Sequence, residues 1–215
     1  MNSESVQADM YYSLIRPEIL NKIPENTSKV LDVGCGFGNL GKKLKEMRKL
    51  EYYGVEFSES ATIYLDKICD KYWIGDLEKL NIDELPMVDC LIAADILEHL
   101  ENPWGILGKL VSKLESNGVA IISIPNVRNL NIIGKLLIKG TWEYEDSGIL
   151  DRTHLRFFTR QSIISLITQS DLDIQTISSN IDNYGMLRRI ITWPLRKLIP
   201  ELEISQYIIV ARKIS

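Results

Sequence analysis

The sequence predicts an α/β fold built on a largely parallel sheet, and three observations lead to that prediction. Short runs rich in β-branched and aromatic residues alternate with longer amphipathic runs, as in successive βαβ units. The apolar run Val88–Ala93 does not alternate polar and apolar residues, which is typical of a strand buried on both faces. A glycine-rich segment, Gly34–Gly41, joins a predicted strand to a predicted helix, where open α/β sheets bind ligands.

The predicted elements follow one another along the chain. A leading helix is expected over residues 9–23, broken at Pro17 because proline interrupts helical hydrogen bonding. Asn117 and Gly118 predict a turn before the fifth strand. Hydrophobic, β-rich runs predict the strands Lys29–Val33, Tyr52–Glu56, Lys71–Ile74, Val88–Ala93, Val119–Ile124, Leu172–Ser178 and Gln206–Arg212. Longer amphipathic runs predict the helices Leu40–Leu50, Glu59–Lys71, Pro103–Leu114 and Gln161–Gln169.

Two stretches interrupt the alternation, and we expect them to be insertions in a single domain that spans residues 1–215. Residues 126–158 follow the fifth strand, and residues 180–204 separate the last two strands. Insertions after the carboxyl ends of strands are where open α/β sheets place their binding loops. Both stretches contain basic, apolar-faced runs, Leu130–Lys139 and Met186–Pro200, which predict a lid or, for residues 186–200, peripheral contact with an anionic membrane.

Length, composition and charge exclude several classes of protein. The 215 residues include 25 Lys and Arg against 29 Asp and Glu, and 45% are hydrophobic, which is ordinary for a globular chain and not for a disordered or collagen-like one. Residues 51–102 hold 13 acids and 3 bases, so their net charge is −10. This acidic middle argues against a nucleic-acid partner, because binding to a phosphate backbone needs positive charge.

The cysteines and the apolar runs predict a soluble, cytoplasmic protein. The three cysteines are odd in number and form no CxxC pair, so we expect free thiols in a reducing compartment. The first ten residues lack the apolar core of a signal peptide. No run reaches the roughly 18 apolar residues that a spanning helix needs.

The glycine segment predicts a cofactor site. The run Gly36–Gly41 matches GxGxxG literally, so a nicotinamide cofactor and an oxidoreductase activity stay open on this pattern alone. Asp32, however, lies inside the preceding strand, where its carboxylate could accept hydrogen bonds from an ammonium group, whereas a pyrophosphate would gain nothing from that charge. A cofactor that carries an amino acid therefore fits the segment better.

Acidic residues follow four successive predicted strands. Glu56 ends the second strand and could bind both hydroxyls of a ribose, and Asp76 follows the third and could accept from an adenine amino group. Asp32 and Asp95 complete the series. Because the carboxyl ends of parallel strands meet at one edge of a sheet, we expect all four side chains to converge there.

Four segments of the sequence together resemble the motifs of a known family. The segments VLDVGCGFG, YYGVEFSE, IGDLEKL and AADILEHL are similar to the motif set of class I S-adenosylmethionine-dependent methyltransferases, in particular the small-molecule group that includes ubiquinone O-methyltransferases. The segments around Tyr11–Glu18 and Leu150–Thr159 resemble a subgroup found near glycan biosynthesis. The resemblance implies a Rossmann-like three-layer sandwich with a seven-stranded, mostly parallel sheet and an antiparallel last strand.

The resemblance also implies a role for each motif residue. Gly34, Gly36 and Gly38 would line the methionine part of S-adenosylmethionine, with Asp32 near its amino group. The other implied contacts are Glu56 to the ribose, Phe57, Asp76 and Leu77 to the adenine, and Ala94 and Asp95 beside the sulfonium. The reaction would be O-methylation of a small molecule or of a glycan or lipid-linked acceptor, and the remaining alternative is a cofactor-binding partner protein without turnover.

A hydroxyl acceptor must lose its proton, and two histidines could assist. His99 lies just past the fourth strand and is the favoured general base, with Asp95 and His154 as the other candidate catalytic residues. The alternative is a divalent cation that lowers the pKa of the hydroxyl. Asp95, Glu98 and His99 have i, i+3, i+4 spacing and His154 could complete the set, as in relatives with a Glu-x-x-Glu-His element. Arg152 and Arg156, four residues apart, could together hold an anionic acceptor group.

Overall fold

The computed structural model describes residues 16–181, 193–194 and 197–214, and seven strands in these ranges form one sheet. The strands are β1 (Lys29–Val33), β2 (Glu51–Glu56), β3 (Lys71–Ile74), β4 (Val88–Ala94), β5 (Leu114–Pro125), β6 (Leu172–Ile181) and β7 (Ile204–Lys213). Their order is β3-β2-β1-β4-β5-β7-β6, and β7 alone among them runs in the direction opposite to the other six. The predicted fold class is therefore confirmed.

The helices lie where the amphipathic runs predict them, but they end earlier. They are α1 (Pro17–Leu20), α2 (Asn39–Met47), α3 (Thr62–Ile68), α4 (Pro103–Ser112), α5 (Leu130–Gly134) and α6 (Arg160–Thr168). The backbone becomes extended at Arg48 and at Cys69, so α2 and α3 stop before the predicted Leu50 and Lys71. Of the predicted leading helix, residues 9–15 lie outside the described residues.

One strand and one insertion differ in detail from the sequence prediction. The predicted turn at Asn117 lies inside β5 as an irregularity, where Asn117 has a φ of 63° and the pairing with β4 shifts register. In the first insertion, α5 continues as a π-helical turn over Lys135–Lys139 and stops at Gly140, whose φ is 67°.

Helices cover both faces of the sheet and so make three layers. Alternate residues of β1 point to opposite faces, with Leu31 in the core that α4 and α6 cover and Val30 in the core that α1 and α2 cover. Leu107 of α4 is fully buried, which stabilises the fold by roughly 1.5–3 kcal/mol. Among the described residues no helix is long and apolar enough to cross a bilayer.

Candidate functional site

The glycine segment forms a tight loop between β1 and α2 that only glycine fits. Gly34, Gly36 and Gly38 have φ values of 74°, 54° and 74°, which other residues rarely adopt. A Cβ atom on Gly34 would lie 3.2 Å from the Ile96 side chain. The amide of Gly34 donates to the Val55 carbonyl at 2.8 Å, so the loop is fixed to β2. This fixed loop lets a ligand approach the backbone closely.

Glu56 ties the end of β2 to the glycine loop. Its carboxylate is buried and accepts from the amides of Gly36 at 2.8 Å and Ser58 at 3.0 Å. The next residue, Phe57, is 76% exposed, so its ring is open to a flat apolar partner such as a base. The contacts of Glu56 with a ribose and of Phe57 with adenine remain predictions that this geometry fits.

Asp76 and Leu77 lie just past β3, beside β2. The Asp76 carboxylate accepts from the Lys79 ammonium at 2.9 Å and the Glu78 amide at 3.0 Å, and the Lys79 hydrogen bond is the main cause that lowers its pKa. The Leu77 side chain is buried in the core. Asp76 is therefore a partly exposed carboxylate at the predicted adenine edge, and only the Leu77 backbone could face a ligand.

Asp32 is buried in β1 and has a partner inside the protein. The Tyr52 hydroxyl donates to the Asp32 carboxylate, and only 4% of Asp32 is exposed. Burial raises the pKa of Asp32 to about 7, although the Tyr52 hydrogen bond and the Arg16 charge lower it. The contact of Asp32 with a cofactor ammonium group remains a prediction, and in that contact Asp32 would accept from Tyr52 and from the ammonium group together.

Asp95 differs from the sequence prediction. It has a φ of 54° and precedes a 3₁₀ turn that spans only Leu97–His99, so it does not share a helical face with Glu98 and His99. Its carboxylate instead pairs with the Arg16 guanidinium at 2.6 Å. The two other donors to it are the Ser123 hydroxyl at 2.9 Å and the Gln206 amide at 2.6 Å. The shared helical face predicted for Asp95, Glu98 and His99 is therefore wrong, and Asp95 is not part of the group formed by Glu98, His99 and His154. Its roles beside the sulfonium, with Ala94, and at the acceptor stay predictions.

Glu98, His99 and His154 form a compact cluster just past β4, which we call the Glu–His–His cluster. One ligand atom of each residue lies within 4.8 Å of the others. Glu98 is 1% exposed, and neither of its carboxylate oxygens has a hydrogen-bond partner among the described residues. Burial, and next the charge of Asp95, raise the pKa of this carboxyl well above its ordinary value. A buried carboxyl without a partner is costly, so the cluster fits a ligand that supplies one.

The two histidines present nitrogen atoms toward each other. His154 is buried, and its Nδ1 lies 3.0 Å from the Ile149 carbonyl, so the Nδ1–H donates there and leaves Nε2 free to bind. The rings of His99 and His154 meet edge to face at 4.7 Å. Burial and the neighbouring His154 lower the pKa of His99, so it is neutral near pH 7. A neutral imidazole can act as a base or as a metal ligand.

Backbone contacts bring His154 to the cluster. The Glu98 carbonyl accepts from the amides of Leu155 at 2.8 Å and Arg156 at 2.9 Å, which docks the end of the first insertion on the 3₁₀ turn. Thr153 adds a contact from its hydroxyl to His99 Nδ1 at 3.0 Å. The sequence alone gave no signal for these contacts, because they join segments more than 50 residues apart.

The two arginines of the insertion do not form one anion clamp. Arg152 pairs with Asp146 on the surface at 2.5 Å. Arg156 donates from its terminal nitrogens to the backbone carbonyls of Leu155 and Glu101. The expectation that both hold one anionic group is therefore wrong, since their side chains take separate partners.

Aromatic rings of the insertion stand beside the cluster. Phe157 lies 6.4 Å from His154 and 5.2 Å from Trp142, measured between ring centroids, and Tyr144 lies 6.2 Å from Phe157. Trp142 is 36% and Tyr144 51% exposed, so both keep open ring surface. Local sequence patterns carry no signal for the grouping of Trp142, Tyr144 and Phe157, which appears only in the fold.

Comparison with known proteins agrees with the geometry. A family model described as a methyltransferase domain matches residues 7–177. The chain is 25% identical over 195 residues to a ubiquinone biosynthesis O-methyltransferase from Rickettsia typhi, covering 87% of this chain and 74% of that one. It is 24% identical over 127 residues to a malonyl-[acyl-carrier protein] O-methyltransferase from Acinetobacter baylyi, covering 57% and 49%. A solved S-adenosylmethionine-dependent methyltransferase from Archaeoglobus fulgidus has a TM-score of 0.69 at 18% identity, covering 99% of this chain and 100% of that one.

Proposed function

Because this chain belongs to the methyltransferase domain family and is an S-adenosylmethionine-dependent methyltransferase, we propose that it methylates an oxygen atom of a small-molecule acceptor. The Glu–His–His cluster carries this proposal, since it supplies at one point the groups that activate a hydroxyl. Membership of the family removes the oxidoreductase and the partner protein without turnover that the sequence left open.

The residues around the glycine loop fit the cofactor. In this proposal Gly34, Gly36 and Gly38, with positive φ, would line its methionine part, Glu56 would hold its ribose, and the exposed Phe57 ring would pack on its adenine. When bound, S-adenosylmethionine supplies an electrophilic methyl group. The protein contributes alignment of the acceptor oxygen with that group and exclusion of water.

We assign the cluster to acceptor activation through a divalent cation. One carboxylate and two imidazoles form a mixed oxygen and nitrogen set that such ions accept. A cation would give the Glu98 oxygens a partner, which they lack among the described residues, and would lower the pKa of an acceptor hydroxyl. Without a cation, His99 is the residue placed to take the proton.

The first insertion supplies the acceptor pocket in this proposal. Trp142, Tyr144 and Phe157 offer open ring surface beside His154, which favours a planar acceptor. Relatives named for ubiquinone biosynthesis and for malonyl-[acyl-carrier protein] support a small molecule, free or on a carrier. A glycan or lipid-linked acceptor is the finer form that the sequence motifs suggest.

The lid and membrane roles are further parts of the proposal. Asn126 is buried and donates to the Glu201 and Ile204 carbonyls at 3.0 and 2.9 Å, so it joins the insertion 126–158 to the end of the insertion 180–204. Most of the predicted membrane segment 186–200 lies outside the described residues, and in it Trp193 is 58% exposed. We place the reaction in the cytoplasm because the three cysteines are free thiols.

A transfer assay tests the proposal. The protein is incubated with methyl-labelled S-adenosylmethionine and a panel of phenols, sugars and lipid-linked hydroxyl compounds, with EDTA or with added Mn²⁺ or Mg²⁺. We expect label in one oxygen acceptor, lost with EDTA and restored by the ion. Transfer only to nitrogen or carbon would refute the oxygen assignment, and full activity in EDTA would leave His99 as the base.

A further inference from the structure

A buried tyrosine lies beneath the cofactor loop and has no part in the proposed reaction. Tyr52 of β2 is fully buried, and its hydroxyl donates to the Asp32 carboxylate of the adjacent strand β1. Gly41 of α2 leaves the room for this ring, since a Cβ atom there would lie 2.3 Å from it. Tyr52, Asp32 and Gly41 are thus packed together, and Asp32 lies two residues before Gly34, the first glycine of the loop.

We propose that Tyr52 is a positioning residue for cofactor binding: its hydroxyl holds the Asp32 carboxylate in the orientation that accepts a hydrogen bond from the cofactor's ammonium group. The inference rests on the proposed function and names a determinant of its cofactor site. One carboxylate oxygen accepts the hydrogen bond from the Tyr52 hydroxyl, and the other would accept from the ligand. Because the ring is fully buried, the hydroxyl cannot swing away.

Charges around Asp32 make this contact depend on pH. Burial raises the pKa of Asp32 to about 7, the Tyr52 hydrogen bond and the Arg16 charge lower it, and Glu56 raises it. The thiols that also face Asp32 are uncharged near neutral pH, since burial raises their pKa: Cys35, Cys69 and Cys90. Asp32 is therefore only partly ionised near pH 7, and ammonium binding strengthens as pH rises through that value.

The test compares two ligands by isothermal titration calorimetry between pH 5.5 and 7.5. S-adenosylhomocysteine carries the ammonium group, which stays largely protonated in this range. 5′-Methylthioadenosine keeps the nucleoside and sulfur but lacks the amino acid. For the unaltered protein we expect the affinity for S-adenosylhomocysteine to rise on the order of tenfold across the range, as Asp32 ionises. The affinity for 5′-methylthioadenosine should stay flat.

The variant Tyr52→Phe keeps the ring and removes the donor. We expect S-adenosylhomocysteine to bind roughly three- to tenfold more weakly at pH 7, with its pH midpoint moved upward, because the hydrogen bond that lowers the Asp32 pKa is gone. Binding of 5′-methylthioadenosine should not change. Tyr53→Phe is the matched control, since the Tyr53 hydroxyl donates to Glu51 on the surface and should affect neither ligand.

The outcomes separate this inference from the proposed function. Equal loss of both ligands in Tyr52→Phe, or a flat pH profile for S-adenosylhomocysteine in the unaltered protein, would overturn the inference. Failure of the unaltered protein to bind either ligand would instead overturn the cofactor site itself. A melting temperature of Tyr52→Phe close to that of Tyr53→Phe shows that folding is intact.

Discussion

Replacing Glu98 by methionine tests the cluster without knowledge of the acceptor. Glu98→Met keeps the length of the side chain and removes a carboxyl that is 1% exposed and has no hydrogen-bond partner among the described residues. In a metal-free protein, such a buried polar group destabilises the fold by roughly 1–3 kcal/mol. We therefore expect the variant to be more stable than the unaltered protein when metal is removed.

The size of the effect follows from the length of the chain. For a domain of 150–250 residues, 1 kcal/mol moves the melting temperature by about 2–4 °C. Glu98→Met should then melt about 2–12 °C higher in EDTA. Added Mn²⁺ should raise the melting temperature of the unaltered protein, because an ion that binds only the folded state stabilises it. It should leave the melting temperature of Glu98→Met unchanged, because that variant lacks the carboxylate that would bind the ion.

Thermal unfolding is followed by circular dichroism, once in EDTA and once in about 1 mM Mn²⁺, which is about a 1,000-fold excess over a dissociation constant of about 1 µM, and it measures both effects. Glu101→Met is the control, since Glu101 is an exposed acid three residues further along the chain. A lower melting temperature of Glu98→Met in EDTA would mean that the carboxyl has a stabilising partner in the free protein. An equal response of both proteins to Mn²⁺ would refute the role of Glu98 as a ligand.

Three further variants test separate parts of the account. Gly41→Ala should destabilise the protein by about 1–3 kcal/mol in urea unfolding, because its Cβ would lie 2.3 Å from the buried Tyr52 ring, whereas Gly108→Ala, with open space around it, should be neutral or stabilising. His99→Ala should lower turnover by about 10²–10⁴-fold and leave the affinity for S-adenosylhomocysteine within about twofold; unchanged turnover would remove His99 from the site. Phe57→Ala should weaken S-adenosylhomocysteine by roughly 5- to 100-fold in calorimetry, the loss of one base–aromatic stack, and equal affinity would contradict the adenine assignment.

The fold and the cofactor loop could be predicted from sequence because their signals are local. An apolar run without alternation is a strand buried on both faces, as β4 is, and three glycines after β1 require a loop with positive φ. Helix ends were less predictable. The residues after Met47 and Ile68 are compatible with a helix by composition, and the start of the next strand decides where the chain becomes extended.

The surroundings of Asp95 and of the Glu–His–His cluster could be predicted only in part, because they depend on residues that are far apart in the sequence. The spacing of Asp95, Glu98 and His99 assumed a helical turn, but Asp95 takes a left-handed backbone and pairs with Arg16, 79 residues earlier. His154 reaches the cluster because the Glu98 carbonyl accepts hydrogen bonds from two backbone amides of the insertion. A pattern of side chains in the sequence does not predict such backbone contacts. Tyr52 looked like a plain strand residue, and its link to Asp32 required the register of β1 and β2.

The most direct test of the central claim is a titration of Mn²⁺ into metal-free protein, followed by calorimetry, for the unaltered chain and for His154→Ala. Our account predicts one site per chain in the unaltered protein, and an affinity at least about tenfold weaker when His154 is lost, because a three-residue set then keeps only Glu98 and His99. Absence of binding to the unaltered protein, or equal binding to both, would contradict the assignment of Glu98, His99 and His154 to a cation that activates the acceptor.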